Sequence, residues 1–408
     1  MKHYDAGHQL IAQSQRALAI ALRYSGKHKA ADSLMTLAYK VLSDSSRPEY
    51  SRMLHRSVLN DYGIIKRFLK RFDESIDLYK LSMQMAVEED DPRELLTSMN
   101  NLAEVYRRTN KLESAESLFV LIIPKLKENY GDDHPYVAKS LNNLGLTYRR
   151  PGKVDESILA LEESLVLREK LYGMEHPELC AVLNNLGGAY TARDKKEEAL
   201  AAYRRALEIN KKFHGLYHFY TLYDLTDVTV TLTHMGRYQE AEATANELIE
   251  GTRKLYGEKH ERMAIAYWRT GLLFQKIDRI DEMESYFRMS LDIMREVKPP
   301  LFHYTYRPLN SLAKHLLETG RYNEAEPLFL EAFEIVKKNE KRMKKEKLKT
   351  LERLVKLYEA LGKPEDAERY AGMLEGSEAV RQWGSEKRAE TAVCYLPSLI
   401  CRSMTGGQ

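Results

Sequence analysis

The feature that most limits what this chain can fold into is a register that returns every 42 residues. Asn100-Asn101-Leu102 comes back as Asn142-Asn143-Leu144 and again as Asn184-Asn185-Leu186. Gly131-Asp-Asp-His134-Pro135 comes back as Gly173-Met-Glu-His176-Pro177, then in weaker form at Gly215…His218 and Gly257…His260. A turn-forming position recurs at Asn110, Gly152, Asp194, Gly236, Asp278, Gly320 and Gly362 at the same period, and Lys70 and Gly26 extend the series upstream at spacings of 40 and 44. That makes nine units. A fixed period of this length marks a repeat array, in which each unit buries its apolar face against its neighbours instead of around one central core.

Within a unit the pattern is helical on both sides of the turn. Apolar or small residues fall 11, 8, 7 and 4 positions before it, as at Leu141, Leu144, Gly145 and Tyr148 ahead of Gly152. After the turn they fall at 5, 9 and 12, as at Ala199, Tyr203 and Ala206 after Asp194. Steps of three and four residues trace one face of a 3.6-residue helix. Small residues recur seven before the turn (Gly63, Ala103, Gly145, Gly187, Gly271, Ala313) and five after it (Ala31, Ala115, Ala199, Ala241, Ala325, Ala367). They predict a close helix–helix approach that a larger side chain would overpack.

Composition agrees with a helix-rich folded chain. Hydrophobic residues are 43% and charged residues 30%, too apolar for a disordered chain and too polar for a membrane protein. The net charge of +3 gives no bulk argument for nucleic-acid binding. Cys180, Cys394 and Cys401 form neither a metal-ligand spacing nor a disulfide framework, so a reducing, cytoplasmic setting is expected. The first ten residues lack the apolar core of a signal peptide, and the longest apolar run, Leu118 to Pro124, is far too short to span a bilayer.

These offsets resemble the tetratricopeptide repeat. The stretch from His134 to Leu144 and its copy from His176 to Leu186 resemble the 42-residue repeat subtype of kinesin light chains. Kinesin light chains carry a heptad coiled coil ahead of their repeats, whereas this chain opens in a repeat, so the resemblance is to the repeat subtype and not to a motor subunit. It implies an all-α fold, a right-handed superhelix of about nine antiparallel helix pairs over residues 1–376. The pattern stops there, and 377–408, without a period, is expected to be a disordered tail. The last residues, Ser403 to Gln408, look like the start of an epitope tag.

Few residues carry a chemical signal. His134, His176, His218 and His260 sit one unit apart, and packed helices lie roughly 8–10 Å apart, too far for successive copies to share an ion. Gly suits a helix end and Pro a helix start, so Gly-x-x-His-Pro is expected to join one pair to the next. No phosphate-binding loop, H-E-x-x-H or G-x-S-x-G motif occurs. No enzyme activity, cofactor or metal is therefore expected.

The paired asparagines need a reason, because Asn is a mediocre helix former. The resemblance implies that the first helix of each pair lines a concave groove, with Asn101, Asn143 and Asn185 facing into it. A side-chain amide both donates and accepts, so a ladder of them can hold an extended peptide by its backbone. A polar contact between neighbouring helices is the other role open to them. The same face gathers Arg107, Arg108, Lys139, Arg149 and Arg150. Further along, equivalent positions hold Tyr223, Trp268, Arg269, Arg307 and Asn310. Aromatics beside Arg typify binding hot spots, although Trp268 also suits a core position. The basic run from Lys337 to Lys349 has no interleaved aromatics and reads as a solvated helix end.

The expected function is a non-enzymatic scaffold binding an extended acidic or aromatic segment of a protein partner, without nucleic acid or membrane. The alternative is the sensor or regulatory part of a larger signalling protein, such as one with a kinase domain.

Overall fold

In the computed structural model, residues 9–46, 50–297, 302–340 and 342–375 are described, and the expected tail at 377–408 lies outside them. Every element among the described residues is a helix. They fall into two compact units, Met1–Leu216 and Tyr217–Gln408. The first unit holds α1 (Gln9–Tyr24), α2 (His28–Leu42), α3 (Arg52–Phe68), α4 (Phe72–Glu88), α5 (Pro92–Arg108) and α6 (Leu112–Tyr130). It continues with α7 (Pro135–Tyr148), α8 (Val154–Tyr172), a 3-10 turn at Pro177–Leu179, α9 (Cys180–Ala192) and α10 (Lys196–His214). The second holds α11 (Phe219–Met235), α12 (Tyr238–Tyr256), α13 (Glu261–Lys276) and α14 (Ile280–Glu296). After them come α15 (Phe302–Glu318), α16 (Tyr322–Lys338), α17 (Lys344–Ala360) and α18 (Pro364–Glu375). Each odd-numbered helix packs on the even-numbered helix that follows it. No helix among the described residues is long and apolar enough to cross a membrane.

The turn position read from the sequence is the same backbone event nine times. Gly26, Lys70, Asn110, Gly152, Asp194, Gly236, Asp278, Gly320 and Gly362 all have positive φ. Four are not glycine, with φ of 59–61°, and three of those are the Asn and Asp that tolerate the left-handed region best. Between pairs the histidines take a different role. His134, His176, His218 and His260 are N-caps, each accepting through Nδ1 from the backbone N–H two residues on, at 3.1–3.3 Å. Tyr130, Tyr172 and Tyr256 stack on the capping rings at 4.5–5.1 Å.

The small residues lie where one helix presses on the next. A Cβ added to Gly63 would fall 2.5 Å from the Tyr79 ring, and one added to Gly145 2.6 Å from Leu161. Where the position five after the turn is Ser instead of Ala, the hydroxyl donates across the same contact. Ser75 reaches the Gly63 carbonyl and Ser157 the Gly145 carbonyl, both at 2.7 Å. The residue just after the turn is basic in all nine units, a column that the sequence reading passed over. Lys153, Arg279 and Lys363 lie over the aromatic ring of their own pair at 4.5–5.6 Å. They also reach back one unit to Glu116, Glu242 and Glu326 at 2.5–3.3 Å.

Candidate functional site

In the first unit the candidate asparagines stand on the odd-numbered helices nine positions before each turn, each preceded by a further asparagine at ten. The amides at these positions bond one another across units. Asn101 donates to Asn60 Oδ1 at 3.3 Å, and Asn185 donates to Asn142 Oδ1 at 2.9 Å. Asn142 donates to its neighbour Asn143 at 3.5 Å, and Ser140 donates to Asn100 Oδ1 at 2.8 Å. Asn101 and Asn143 keep only 9% and 8% of their surface in water, while Asn185 is half-buried. Asn101 and Asn185 therefore have part of their capacity committed to the preceding odd-numbered helix, and Asn143 part of its own to Asn142 beside it.

The cations differ among themselves. Glu104 takes Arg107 through two bonds at 2.8 and 2.9 Å and Arg108 at 2.6 Å, with Arg67 3.5 Å away. Arg150 is held by Glu113 and Glu116 at 2.6 and 2.5 Å. Arg149 is exposed and lays its guanidinium against Gly188 on α9, where an added Cβ would stand 3.0 Å from Nη1. Lys139 is exposed as well, and it lines a small open pocket with Thr97, Asn100, Asn101 and Tyr136. Desolvation by the protein around it pushes its ammonium below the usual lysine range. Arg67, Arg23 and Arg168 push the same way against Glu104. Lys139 thus carries a charge that both its surroundings and its neighbours disfavour.

In the second unit α11, α13 and α15 bring a different set together. Trp268 is half-buried, donates through Nε1 to Ser311 at 3.5 Å, and has Arg307 and Arg269 over its ring at 5.1 and 5.7 Å. Asn310 accepts from Tyr306 at 3.2 Å and also from Arg353. Arg269 stands nine before its turn, in the column that holds Asn101, Asn143 and Asn185 in the first unit. Its Nε is buried without an acceptor. Burial lowers its pKa first of all, with Arg307 adding to the effect and Asp227 opposing it.

Asp227, in the same column on α11, was missed in reading the sequence. Burial raises its carboxyl to about 6, against the pull of Arg269 and with a further push from Asp224. Extending the asparagine column one unit further would have found it. Tyr223 and Tyr304, both exposed, stand beside Arg269.

Models of the tetratricopeptide repeat match residues 54–120, 152–212, 230–296 and 309–339, together more than half of the sequence. The chain belongs to the tetratricopeptide repeat proteins. Among solved structures, this tetratricopeptide chain is similar to the apo form of RapI at 14% identity and a TM-score of 0.60. The match covers 91% of this chain and 99% of that one. It is likewise similar to the apo form of the quorum sensor NprR from B. thuringiensis, at 13% identity and a TM-score of 0.60, covering 80% and 88%. Repeats of a putative kinesin light chain from Podosopora anserina are 20% identical with a TM-score of 0.47, covering 50% and 97%. No curated protein matches the chain in sequence. At these identities the solved structures speak for the fold of the tetratricopeptide array alone.

Proposed function

We propose that this chain is a non-enzymatic scaffold that holds an extended, acidic segment of a partner protein along its odd-numbered helices. The observation that carries the reading is Lys139. Its charge is disfavoured by the protein atoms crowded around it and by three arginines, while its side chain stays exposed beside the amides of Asn100 and Asn101. A carboxylate arriving there would relieve that repulsion and form a charge-assisted hydrogen bond, typically about 1.5–3 kcal/mol when shielded from water. The amide edges of Asn101, Asn143 and Asn185 suit a peptide backbone, and exposed Arg149 suits a second acidic side chain. Arg108 is exposed but shares Glu104 with Arg107, and Arg107 and Arg150 are less exposed and bound to glutamates of the chain itself. These last two shape the face more than they serve a ligand.

The test is fluorescence anisotropy with a rhodamine-labelled hexa-aspartate peptide and the full chain. Binding should weaken with salt, because screened charges carry it. Lys139→Ala with Arg149→Glu should raise Kd about tenfold or more, one lost charge-assisted bond being worth that much. Unchanged binding in that variant, with loss on neutralising Lys344 and Lys345 in the basic run, would move the site off this face and overturn the reading.

A further inference from the structure

The second unit keeps the geometry of the amide ladder and changes its chemistry. Where the first unit carries Asn143 and Asn185 nine before consecutive turns, the second carries Asp227 and Arg269. The acid and the base act on each other's charge, yet they do not close an ion pair. Arg269 is left with a buried Nε that has no acceptor, next to Trp268, and the exposed Tyr223 and Tyr304 are close enough to act on its charge. Arg307 adds a second positive charge across the Trp268 ring.

We propose that Arg269 and Trp268 form a second site for a carboxylate of an acidic segment, and that Asp227 gates it by its own charge. The site rests on the acidic-segment reading above. An acidic side chain docking on Arg269 meets the negative charge of ionised Asp227, and like charges that close disfavour one another. A proton on Asp227 removes that repulsion and leaves the Arg269 charge for the ligand. The groups that bear on the pair are Asp224 on the same helix as Asp227, Arg307 on α15, and Tyr223 and Tyr304 beside Arg269. Burial brings the Asp227 carboxyl to about 6, inside the range that a cell can sample. Binding should therefore take up a proton near neutral pH, which the tyrosines and arginines cannot supply.

Trp268 provides a local readout. The sequence holds two tryptophans, and replacing the other with Trp383→Phe leaves Trp268 as the sole indole. The full chain in that background is titrated with rhodamine-free hexa-aspartate at pH 5.5 and 7.5, where the peptide stays ionised. The rhodamine-labelled peptide reports binding anywhere on the chain by anisotropy. Trp268 emission should saturate at both pH values, with an apparent Kd up to about twentyfold lower at pH 5.5, because only the protonated fraction is competent. Asp227→Asn should bind at pH 7.5 as tightly as the parent does at 5.5 and lose the pH dependence. Arg269→Gln, its helix content checked by circular dichroism, should lose the Trp268 response at both. A pH dependence that survives Asp227→Asn overturns the gate. Anisotropy that reports binding while Trp268 stays silent removes this site and leaves the first-unit reading standing. Silence of both signals at both pH values brings down the two together.

Discussion

Asn185 donates its side-chain amide to Oδ1 of Asn142 across 2.9 Å, joining α9 to α7 one unit earlier. The same cross-unit link runs from Asn101 to Asn60 at 3.3 Å, from Trp268 to Ser311 at 3.5 Å and from Arg353 to Asn310. In each case the residue ten before one turn meets the residue nine before the next. The chemistry changes from amide to indole to guanidinium while the register stays. The column is therefore a clasp between successive odd-numbered helices, and only the edge left over is open to a ligand.

Breaking one clasp gives the first prediction. Asn142→Ala and Asn185→Ala should each destabilise the array by about 0.5–1.5 kcal/mol, the net worth of a typical hydrogen bond. Because both remove the same bond, the double variant should lose clearly less than the two losses added. Urea midpoints measured by circular dichroism check this. Strict additivity would mean that the two amides act independently.

Much of the fold could be read from the sequence because repetition separates signal from noise. One glycine before a turn says little, whereas Gly26, Gly152, Gly236, Gly320 and Gly362 in register with Lys70, Asn110, Asp194 and Asp278 specify one backbone conformation, and all nine adopt it. The site was harder to read because its residues do not repeat. Arg269 was legible as the equivalent of the asparagines, whereas Asp227 in the same column resembles none of the residues that recur. The partners of Arg150 could not be foreseen either. Glu113 and Glu116 lie 37 and 34 positions away, a distance that becomes a contact only once α6 packs beside α7 and the turn that follows it.

The close approach at Gly187 yields a prediction with its own control. A Cβ there would sit 2.6 Å from two ring carbons of Tyr203, well inside van der Waals contact. Gly187→Ala should destabilise by roughly 1–3 kcal/mol through overpacking, despite the better helix propensity of Ala. In a Tyr203→Ala background, where the ring is gone, Gly187→Ala should cost clearly less, because the two changes share one contact. A thermal midpoint unchanged by Gly187→Ala would refute the contact.

Two glycines at neighbouring turns should respond in opposite ways. Gly173 has φ 86° and ψ 170°, a region almost confined to glycine, and nothing lies within 4 Å of an added Cβ. Gly173→Ala should thus cost about 1–3 kcal/mol from backbone strain alone. Gly152 has φ 83° at the turn whose equivalents are Asn110 and Asp194, so Gly152→Asn should be nearly neutral. Equal losses in the two variants, compared by chemical denaturation, would contradict this assignment.

Asp227 makes a prediction about stability that needs no ligand. Its carboxyl is raised from 3.8 to about 6 in the folded chain, chiefly by burial, and Arg269 only partly offsets this. The folded state thus holds the proton more tightly than the unfolded one, so this group favours folding at low pH and works against it as pH rises from about 4 through 6. At pH 7.5 the carboxylate is ionised in both states, and the chain bears the full cost of burying that charge. Asn has the shape of the protonated acid without the charge. Asp227→Asn should accordingly raise the thermal midpoint at pH 7.5, and the gain should shrink as pH falls through 6 and vanish near 4. Scanning both proteins at matched ionic strength isolates the difference from the other carboxylates, which the two chains share. A midpoint lowered by Asp227→Asn at pH 7.5 would mean that attraction to Arg269 outweighs burial, and the carboxyl would then have to lie below its ordinary value.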